Sequence, residues 1–575
     1  MGKVKRVLAA AMTIVMIGAL VGCKNSSAEG GNTYKKEVDG HNGKIVLEVK
    51  VEGENITDIS VVEHSETVGI SDEAINGIPK QIVENQSLAI DTISGATVSS
   101  NAILKGVEEA LIEAGLDIES LKTKKSETTE LKQGETEETN IVIVGAGVAG
   151  LMAGLELTNN HSDINFIIVE KLPVMGGSLP MTGGAVIGTD SVKHEEEGKV
   201  VDASEIANYL NENSAEEINT ELAENTFELS GSTLNLLYDM EAPFQENLKV
   251  SAPYNDNIYA IWADGTGADL QKMFNEKIPQ YNMDLRFDTT ATELIVESDV
   301  VKGIVVKDKE KEYKIMADKV IMATGGFGSN KEMVNEYDPE YADGVIQANG
   351  GATGDGIKMT EQFNVPLVGD GTMGTIVAED GSALLNSTFI VDMQGNRFTM
   401  ETHAKYVLQH DLVRKADGKG VVIVDSTYED KDGLTKAIES GLVKEFNSLE
   451  ELSEGMGLNK ENLLAQVDSY NKAVENGVNP EFDLPVEKAK PLTEAPYYAQ
   501  VTIPRTFGTI TGLKISGNTQ VLNDKDEKIA NLFAVGELTA GNAISTKYPG
   551  AGFGLAYAMN SGRLAAIEAV KDLNK

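Results

Sequence analysis

Cysteine is almost absent from this chain, since Cys23 is the single cysteine among 575 residues. One cysteine cannot form an intrachain disulfide, and it excludes both a cysteine-ligated iron–sulfur cluster and a CxxCH haem attachment site. Any redox chemistry of this protein must therefore use another kind of cofactor.

Positive charge is also scarce, with 49 Lys and Arg residues against 90 Asp and Glu residues and a net charge of −41. Ordinary nucleic-acid binding is excluded, because phosphate requires a basic face. Hydrophobic residues make up 41% of the chain, which is enough for large cores and excludes a disordered protein. Glycine, with 57 residues, exceeds its average share.

Long hydrophobic runs are missing except at the amino terminus, where three basic residues precede an apolar run over residues 7–21. About 15 residues are short for a membrane-spanning helix but suit the h-region of a signal peptide. The run ends in LVGC at 20–23, which resembles a bacterial lipobox. The resemblance implies a signal peptide over 1–23, a lipid anchor on Cys23, a tether over 24–35 and an extracytoplasmic, membrane-anchored protein. The alternative is an uncleaved anchor helix.

Residues 36–116 have the pattern of a small α+β domain, with strands over 43–51 and 56–62 and helices over 72–87 and 99–114. Between the helices lies DTISGAT, which resembles the signature of FMN-binding domains that carry FMN covalently. In that family a flavin transferase joins the FMN phosphate to the hydroxyl of the last threonine, here Thr97. The alternative is an ordinary Ser-Gly turn before a helix. The other signature positions are Asp91, Ser94, Gly95 and Ala96.

A charged linker is predicted over residues 117–139, and a dinucleotide-binding unit follows it. The apolar strand over 141–144 leads into a G-x-G-x-x-G turn at 145–150 and then into a helix. A second strand over 166–169 ends at Glu170, about 20 residues further on. In such units the pyrophosphate meets the helix N-terminus and the acidic residue binds the ribose, whereas the alternative is a Gly-rich turn without a ligand.

Further glycine-rich turns follow in order: GGS at 176–178, TGGA at 182–185, ATGGFG at 323–328, ATGDG at 352–356 and VGE at 535–537. Over residues 140–575 these turns resemble the FAD-binding domain of the fumarate reductase and succinate dehydrogenase flavoprotein superfamily. The resemblance implies an α/β, Rossmann-like fold with non-covalent FAD. The residues that it places at FAD are Gly145, Ala146, Gly147, Ala149, Gly150, Glu170, Lys171, Gly176, Gly177, Ser178, Gly183, Gly184, Ala323, Thr324, Gly325, Gly326, Asp355, Gly536 and Glu537.

Residues 372–502 interrupt the FAD-binding domain, which therefore comprises residues 140–371 and 503–575. In the family this insertion is an α+β clamp that closes over substrate and excludes water. The signal, the FMN domain and the FAD domain with its clamp together resemble the extracellular fumarate and urocanate reductases. The resemblance implies that a membrane electron donor reduces FMN, that FMN reduces FAD, and that an activated C=C bond of a small substrate is the acceptor.

The substrate site departs from the fumarate enzymes. Their proton donor is an Arg eight residues after the Arg of the GNRF segment, and the same count from Arg397 leads to Lys405. A lysine can donate a proton, although a solvated lysine fits the pattern equally well. Gly508 replaces the His of their HTMGG segment, and Tyr548 replaces a carboxylate-binding Arg. These losses argue against fumarate as the substrate.

The segment YPGAG at 548–552 resembles another branch of the superfamily, the ketosteroid dehydrogenases. There a Tyr hydroxyl and the N–H of the Gly four residues later hold the substrate carbonyl, which implies this role for Tyr548 and Gly552. The alternative for Tyr548 is packing against the flavin. Arg505 can bind one anionic group of a substrate.

Three functions fit these features. The first is an exported reductase of an enoate or enone, which uses FMN and FAD in anaerobic respiration. The second is a dehydrogenase of the same fold that desaturates a ketone-bearing substrate, and the third is a two-flavin electron carrier without small-molecule turnover. The FMN domain favours the first, because it gives electrons from the membrane a route to FAD.

Overall fold

The computed structural model describes residues 32–40, 43–64, 66, 72–90, 97–123, 131–214, 217–252, 255–341, 344–346, 348–378, 387, 389–403, 405–544 and 548–575. The chain divides into two compact units, the first from described residues within 1–66, 74–91 and 98–127, and the second from the remainder. Within these described segments no helix is long and apolar enough to cross a membrane. The predicted signal peptide and Cys23 lie outside the described residues.

The first unit contains an antiparallel sheet with the order β1–β2–β3, from β1 (Asn32–Asp39), β2 (Lys44–Glu52) and β3 (Asn55–His64). Its helices are α1 (Asp72–Asn85), α2 (Thr97–Ala114) and α3 (Ile118–Thr123). Alternate residues of β2 are fully or almost fully buried, which is the pattern of a sheet with one face on a core. The two strands and two helices expected in this region are all present.

The second unit is larger. Its strands are β4 (Lys132–Gln133), β5 (Glu137–Val144), β6 (Phe166–Val169), β7 (Ala185–Ile187), β8 (Lys249–Ala252), β9 (Asn255–Trp262), β10 (Asp284–Arg286), β11 (Thr290–Glu297), β12 (Val300–Lys307), β13 (Lys311–Met322), β14 (Val345–Ile346), β15 (Leu367–Val368), β16 (Thr372–Ala378), β17 (Ile390–Asp392), β18 (Gly420–Val424), β19 (Lys444–Phe446), β20 (Tyr497–Thr509), β21 (Gly512–Leu513), β22 (Gln520–Leu522) and β23 (Lys528–Ala534). Its α-helices are α4 (Val148–Asn160), α5 (Val192–Glu197), α6 (Ala203–Glu212), α7 (Thr220–Phe227), α8 (Ser230–Asp239), α9 (Gly267–Lys277), α10 (Lys331–Tyr337), α11 (Asp355–Thr360), α12 (Lys405–Lys415), α13 (Lys431–Glu439), α14 (Leu449–Met456), α15 (Lys460–Glu475) and α16 (Phe553–Leu573). Short 3₁₀ helices cover Leu179–Met181, Ile278–Tyr281, Pro339–Tyr341, Glu361–Phe363, Glu481–Asp483 and Gly536–Asn542.

Parallel strands form the centre of the largest sheet, in the order β10–β6–β5–β13–β23. The apolar ends of β5 and β13 are buried on both faces, as expected for a parallel sheet covered by helices. Helices α4 and α16 pack together against one face, where the buried Arg563 guanidinium donates to Glu156 at 2.8 Å. The predicted α/β architecture of the FAD-binding region is confirmed.

Two segments predicted as connections contain regular structure. β1 begins at Asn32, inside the predicted tether over 24–35, and pairs with β2. The predicted linker over 117–139 contains α3 and β4, and β5 begins within it; β4 and β5 both pair with β13. Apolar patterning does not reveal these strands, because main-chain hydrogen bonds to a neighbouring strand need no apolar side chain.

The predicted clamp is built around a second sheet, in which β20 pairs with β14, β16, β18 and β19 and β18 pairs with β17. Arg397 lies in its core and donates two hydrogen bonds of 2.7 Å to Glu401. The guanidinium also stacks near the rings of Phe389 and Tyr470, at 5.9 and 5.0 Å. The arginine of the GNRF segment thus forms a buried ion pair with Glu401 in the core of the predicted clamp.

Candidate active site

The turn between β5 and α4 brings the backbone close to the end of β13. Gly145 has a φ of +110°, and a Cβ there would lie 2.3 Å from the carbonyl oxygen of Ala323. A Cβ at Gly150 would lie 1.9 Å from the carbonyl oxygen of Gly145. Both positions therefore require glycine. The strand–turn–helix geometry expected of the dinucleotide-binding motif is present.

Glu170 follows β6 and is buried. One of its carboxylate oxygens accepts the N–H of Ala146 at 2.8 Å, and the other accepts the N–H of Leu172 at 2.8 Å. Desolvation raises the pKa of Glu170, and these hydrogen bonds oppose the shift. Each oxygen keeps a second lone pair, so the carboxylate can still accept a ribose hydroxyl as predicted.

Lys171 and Asp355 are predicted separately at FAD, and the structure joins them. The Lys171 ammonium donates to the Asp355 carboxylate at 2.5 Å and to the Thr353 hydroxyl at 2.6 Å. The ion pair connects Lys171 to Asp355, the first residue of α11. The positive charge of Lys171 is therefore already compensated within the protein.

A cavity of about 370 Å³ opens beside these residues. Most of the residues predicted at FAD line it, whereas Ala146, Gly150 and Gly326 do not. The predicted residues in its lining are Gly145, Gly147, Ala149, Glu170, Lys171, Gly176, Gly177, Ser178, Gly183, Gly184, Ala323, Thr324, Gly325, Asp355, Gly536 and Glu537.

Two features of this wall fit a flavin dinucleotide. A Cβ at Gly177 would lie 3.1 Å from the Cα of Gly147, so two glycine backbones meet at the cavity without side chains between them. The Thr324 hydroxyl is buried at the cavity and finds no hydrogen-bond partner among the described residues. Because such a hydroxyl costs free energy, it is suited to bonding with a bound ligand.

Glu537 faces the cavity from the segment that follows β23. Its carboxylate accepts the N–H of Thr509 at 2.9 Å and the Thr509 hydroxyl at 3.3 Å. Desolvation raises the pKa of Glu537 to about 7. A Cβ at Gly508 would lie 3.1 Å from this carboxylate, and one at Gly326 would lie 2.3 Å from it. The two glycines therefore make the space that the carboxylate occupies.

Five aromatic side chains also line the cavity: Trp262, Tyr406, Phe507, Tyr548 and Tyr557. We call the first four the aromatic wall. The rings of Tyr406 and Tyr548 meet edge to face, with centroids 5.3 Å apart. A Cβ at Gly183 would lie 3.8 Å from the Trp262 ring, so the indole borders the glycine turn predicted to face the flavin ring. The aromatic wall therefore adjoins the FAD-lining residues.

The Tyr548 hydroxyl accepts the backbone N–H of Gly554 at 2.9 Å, in the first turn of α16. Burial raises the pKa of Tyr548, so the phenol stays protonated at neutral pH. The sequence predicts Gly552 as the second donor at this position. Gly552 does line the cavity, as the N-cap of α16 with a φ of +89°. Tyr548 and Gly552 thus meet at the cavity, but the N–H bound to the phenol is that of Gly554.

Lys405 and Arg505, predicted as catalytic, do not line the cavity. Lys405 is the first residue of α12 and is exposed, although nearby protein atoms partly desolvate its ammonium and lower its pKa. Arg505 lies in β20, opposite Thr375 of β16, and burial lowers its pKa. The cavity is lined instead by Tyr406, which directly follows Lys405, and by Phe507, which lies two residues after Arg505.

Sequence reasoning does not single out the other members of the lining. Tyr406 directly follows the predicted Lys405, and Phe507 directly precedes the position at which the resembling family has a histidine, so both had a local signal. Trp262 and Met373 had none, because they come from β9 and β16, far from any recognised motif. Only the folded chain brings them to the cavity.

The predicted FMN attachment site is described only in part. Asp91, Ser94, Gly95 and Ala96 lie outside the described residues, and so does the side chain of Thr97, which begins α2. Two residues later the buried Ser99 hydroxyl donates to the buried Glu66 carboxylate. Covalent attachment at Thr97 therefore stays a prediction.

Comparison with known families decides the relationship. A family model described as an FAD-binding domain matches residues 140–555, which is more than half of the chain. The chain belongs to this FAD-binding family. A model described as an FMN-binding domain matches residues 40–112. The predictions of FAD and FMN as cofactors are confirmed.

Curated relatives agree with the flavoprotein family inferred from the motifs. An NADH:acrylate oxidoreductase of Vibrio harveyi is 28% identical over 87% of this chain and 58% of its own length. A urocanate reductase of Eggerthella lenta is 26% identical over 91% of this chain and 89% of its own length. The chain thus spans little more than half of the acrylate oxidoreductase.

Solved structures show the same fold. The open conformation of a flavocytochrome c3 fumarate reductase aligns with a TM-score of 0.60 and 25% identity, over 76% of this chain and 79% of that one. A 3-ketosteroid Δ4-(5α)-dehydrogenase from Rhodococcus jostii aligns with a TM-score of 0.64 and 23% identity, over 77% and 99%. At 23% identity the second match shows only that the two proteins share a fold.

Proposed function

We propose that this protein is an exported, flavin-dependent reductase of an activated C=C bond in a small organic acceptor, an enone or an enoate other than fumarate. Electrons from a membrane donor would pass to FMN on Thr97, then to FAD, and then to the acceptor. The observation that carries the proposal is one continuous cavity, lined both by the residues predicted at FAD and by Tyr548. Relatives named for acrylate and urocanate support the reaction class.

Reduced FAD, once bound, would supply the hydride that the β-carbon of the C=C bond receives. The protein's part begins at Tyr548, whose oxygen is already an acceptor for the Gly554 N–H. Its own proton is therefore directed to the substrate carbonyl oxygen. That hydrogen bond stabilises the negative charge which develops on the oxygen as the β-carbon is reduced.

The α-carbon must then receive a proton, and Lys405 is the proposed donor. Its lowered pKa makes the ammonium a better acid than a fully solvated lysine. Lys405 directly precedes Tyr406, which lines the cavity, so a small closing movement of the clamp brings it towards the substrate. The hydride at the β-carbon and this proton at the α-carbon together bring two electrons and two hydrogen atoms, which converts C=C to CH–CH.

Photoreduction of the purified holoprotein under anaerobic conditions tests the proposal. A panel of enones, enoates and aryl acrylates is added, and flavin reoxidation is followed together with the saturated product. We expect stoichiometric reoxidation by at least one member. Reoxidation by none of them refutes the reductase and leaves an electron carrier.

The anchor and the FMN linkage have separate tests. Cys23→Ala should abolish incorporation of labelled lipid and release the protein from the membrane fraction. Thr97→Ala, expressed with a flavin transferase, should lose covalent FMN by mass spectrometry, whereas Thr92→Ala in the same segment should keep it. Retention of FMN by Thr97→Ala contradicts the attachment site.

A further inference from the structure

We propose that the aromatic wall selects a neutral α,β-unsaturated ketone, aldehyde or ester that carries a ring, and discriminates against carboxylates. The inference rests on the proposed reductase function and narrows its substrate class. It follows from the charge of the cavity lining, the hydrogen-bond donor at Tyr548 and the flat apolar surfaces around it.

The described lining of the cavity contains four acidic or basic side chains: Glu170, Lys171, Asp355 and Glu537. The one cation among them, Lys171, is already paired with Asp355 at 2.5 Å. A substrate carboxylate would therefore enter a desolvated cavity with no counter-ion in its described walls, which is strongly unfavourable.

The surroundings of Gly508 are also unfavourable for a substrate carboxylate. A Cβ at Gly508 would lie 2.9 Å from the Met373 methyl carbon and 3.1 Å from the Glu537 carboxylate. This spot therefore presents an apolar methyl group and an acid rather than a cation. A negatively charged substrate group beside Glu537 would be repelled by the ionised form of that carboxyl, whereas an uncharged group would not.

The Tyr548 hydroxyl suits one uncharged oxygen. Tyr548 has a single proton to donate, since its oxygen is already engaged by the Gly554 N–H at 2.9 Å. One well-placed O–H satisfies a ketone or ester carbonyl. A carboxylate would need donors for both oxygens and compensation of a full charge.

The aromatic wall favours a substrate that carries a ring. Tyr406 and Tyr548 meet edge to face at 5.3 Å, and Trp262 and Phe507 add two more flat surfaces to the same cavity. Aromatic side chains favour offset stacking or edge-to-face contact with another ring. A planar, ring-bearing molecule conjugated to its carbonyl fills such a space better than a short aliphatic acid.

Lys405 and Arg505 do not reverse the charge argument. Lys405 directly precedes Tyr406 and Arg505 lies two residues before Phe507, but neither contributes to the described cavity surface. The role proposed for Lys405 after closure is to protonate the α-carbon rather than to pair with a carboxylate. The protein as a whole carries a net charge of −41, which also disfavours the approach of anions.

Matched ligands of one size test the proposal. The lone tryptophan, Trp262, lines the cavity, so its fluorescence in the oxidised holoprotein reports binding of 4-phenylbutan-2-one and of 3-phenylpropionate. We expect the ketone to bind at least tenfold more tightly. Equal or tighter binding of the carboxylate, or no binding of the ketone, overturns the inference.

Turnover is measured separately. Photoreduced holoprotein is mixed with benzylideneacetone, methyl cinnamate and cinnamate, and we expect the two neutral compounds to reoxidise it at least tenfold faster. Reoxidation by none of the three, despite selective ketone binding, refutes the reductase function and leaves the selectivity standing. Faster reoxidation by cinnamate that is lost in Arg505→Met overturns the selectivity and leaves the reductase.

A variant pair locates the selectivity. Tyr548→Phe should lose at least fivefold in ketone affinity with little change for the carboxylate. Tyr281→Phe, in a 3₁₀ helix outside the cavity lining, is the control that should match the wild type. Unchanged ketone affinity in Tyr548→Phe contradicts the assigned donor.

Discussion

Glu537 should make folding stability fall as the pH rises from about 4.5 to 7. Its pKa is raised to about 7 in the folded chain from an ordinary value of 4.5. Below pH 4.5 the carboxyl is protonated in both the folded and the unfolded chain, so it contributes no difference. Between the two values the unfolded chain loses the proton first, and stability declines with pH until the folded pKa is passed.

The size of the effect follows from the same values. A pKa of about 7 against an ordinary 4.5 corresponds to about 3 kcal/mol between the protonated and ionised forms. Glu537 borders the cavity, where water can solvate part of the charge, so we expect about 2 kcal/mol. The hydrogen bonds from Thr509 remain available to a glutamine oxygen, so Glu537→Gln should fold with the same contacts.

The assay is urea unfolding of flavin-free protein, followed by Trp262 fluorescence at several pH values between 5 and 8.5. The stability of Glu537→Gln relative to the wild type should increase by about 2 kcal/mol across this range. Glu439→Gln, at the exposed end of α13, controls for the loss of one charge. Parallel curves for wild type and Glu537→Gln would show that the carboxyl titrates normally and would refute the reasoning.

Three further outcomes are expected. Glu401→Gln leaves the buried Arg397 without its counter-charge and should cost about 3–5 kcal/mol of clamp stability in urea unfolding. The double variant Arg397→Met/Glu401→Leu should regain most of that loss, and an equal loss in both would contradict a charge effect. Gly145→Ala should lose FAD absorbance on purification, because its Cβ would meet the Ala323 carbonyl at 2.3 Å; full FAD content would argue against the turn's role. Lys405→Met should slow single-turnover reoxidation by about 100-fold with unchanged FAD content, and an unchanged rate would remove it from the mechanism.

Local sequence patterns predicted much of this molecule because they report on backbone conformation. The glycine turn at 145–150 requires conformations and close approaches that only glycine permits, so its spacing identifies the strand, turn and helix around it. The second half of β5 and the whole of β6 are continuous apolar runs, which is typical of parallel strands buried on both faces. The order of such turns also indicated the FAD-binding family, which the family match confirms.

The polar strands β1 and β4 are not predicted from the sequence, because they are held by main-chain pairing with other strands and not by their own apolar side chains. β1 and β4 carry few buried apolar side chains, and they exist because β2 and β13 present free main-chain edges beside them. No periodicity within residues 24–35 or 117–139 encodes those neighbours. Sequence patterning therefore predicts a tether over 24–35 and a linker over 117–139, where the folded chain has β1, β4 and the start of β5.

The amino-acid sequence by itself determined the family, the two flavin domains and the glycine turns, since each depends on residues close together in the chain. The tertiary structure decided which side chains meet at the cavity. Successive helical residues point about 100° apart, so α12 presents Tyr406 to the cavity and leaves its neighbour Lys405 outside the lining. Trp262 reaches the same cavity from β9, a strand that no motif connects to α12. The chemistry of the substrate site depends on this convergence, which spacing along the chain does not encode.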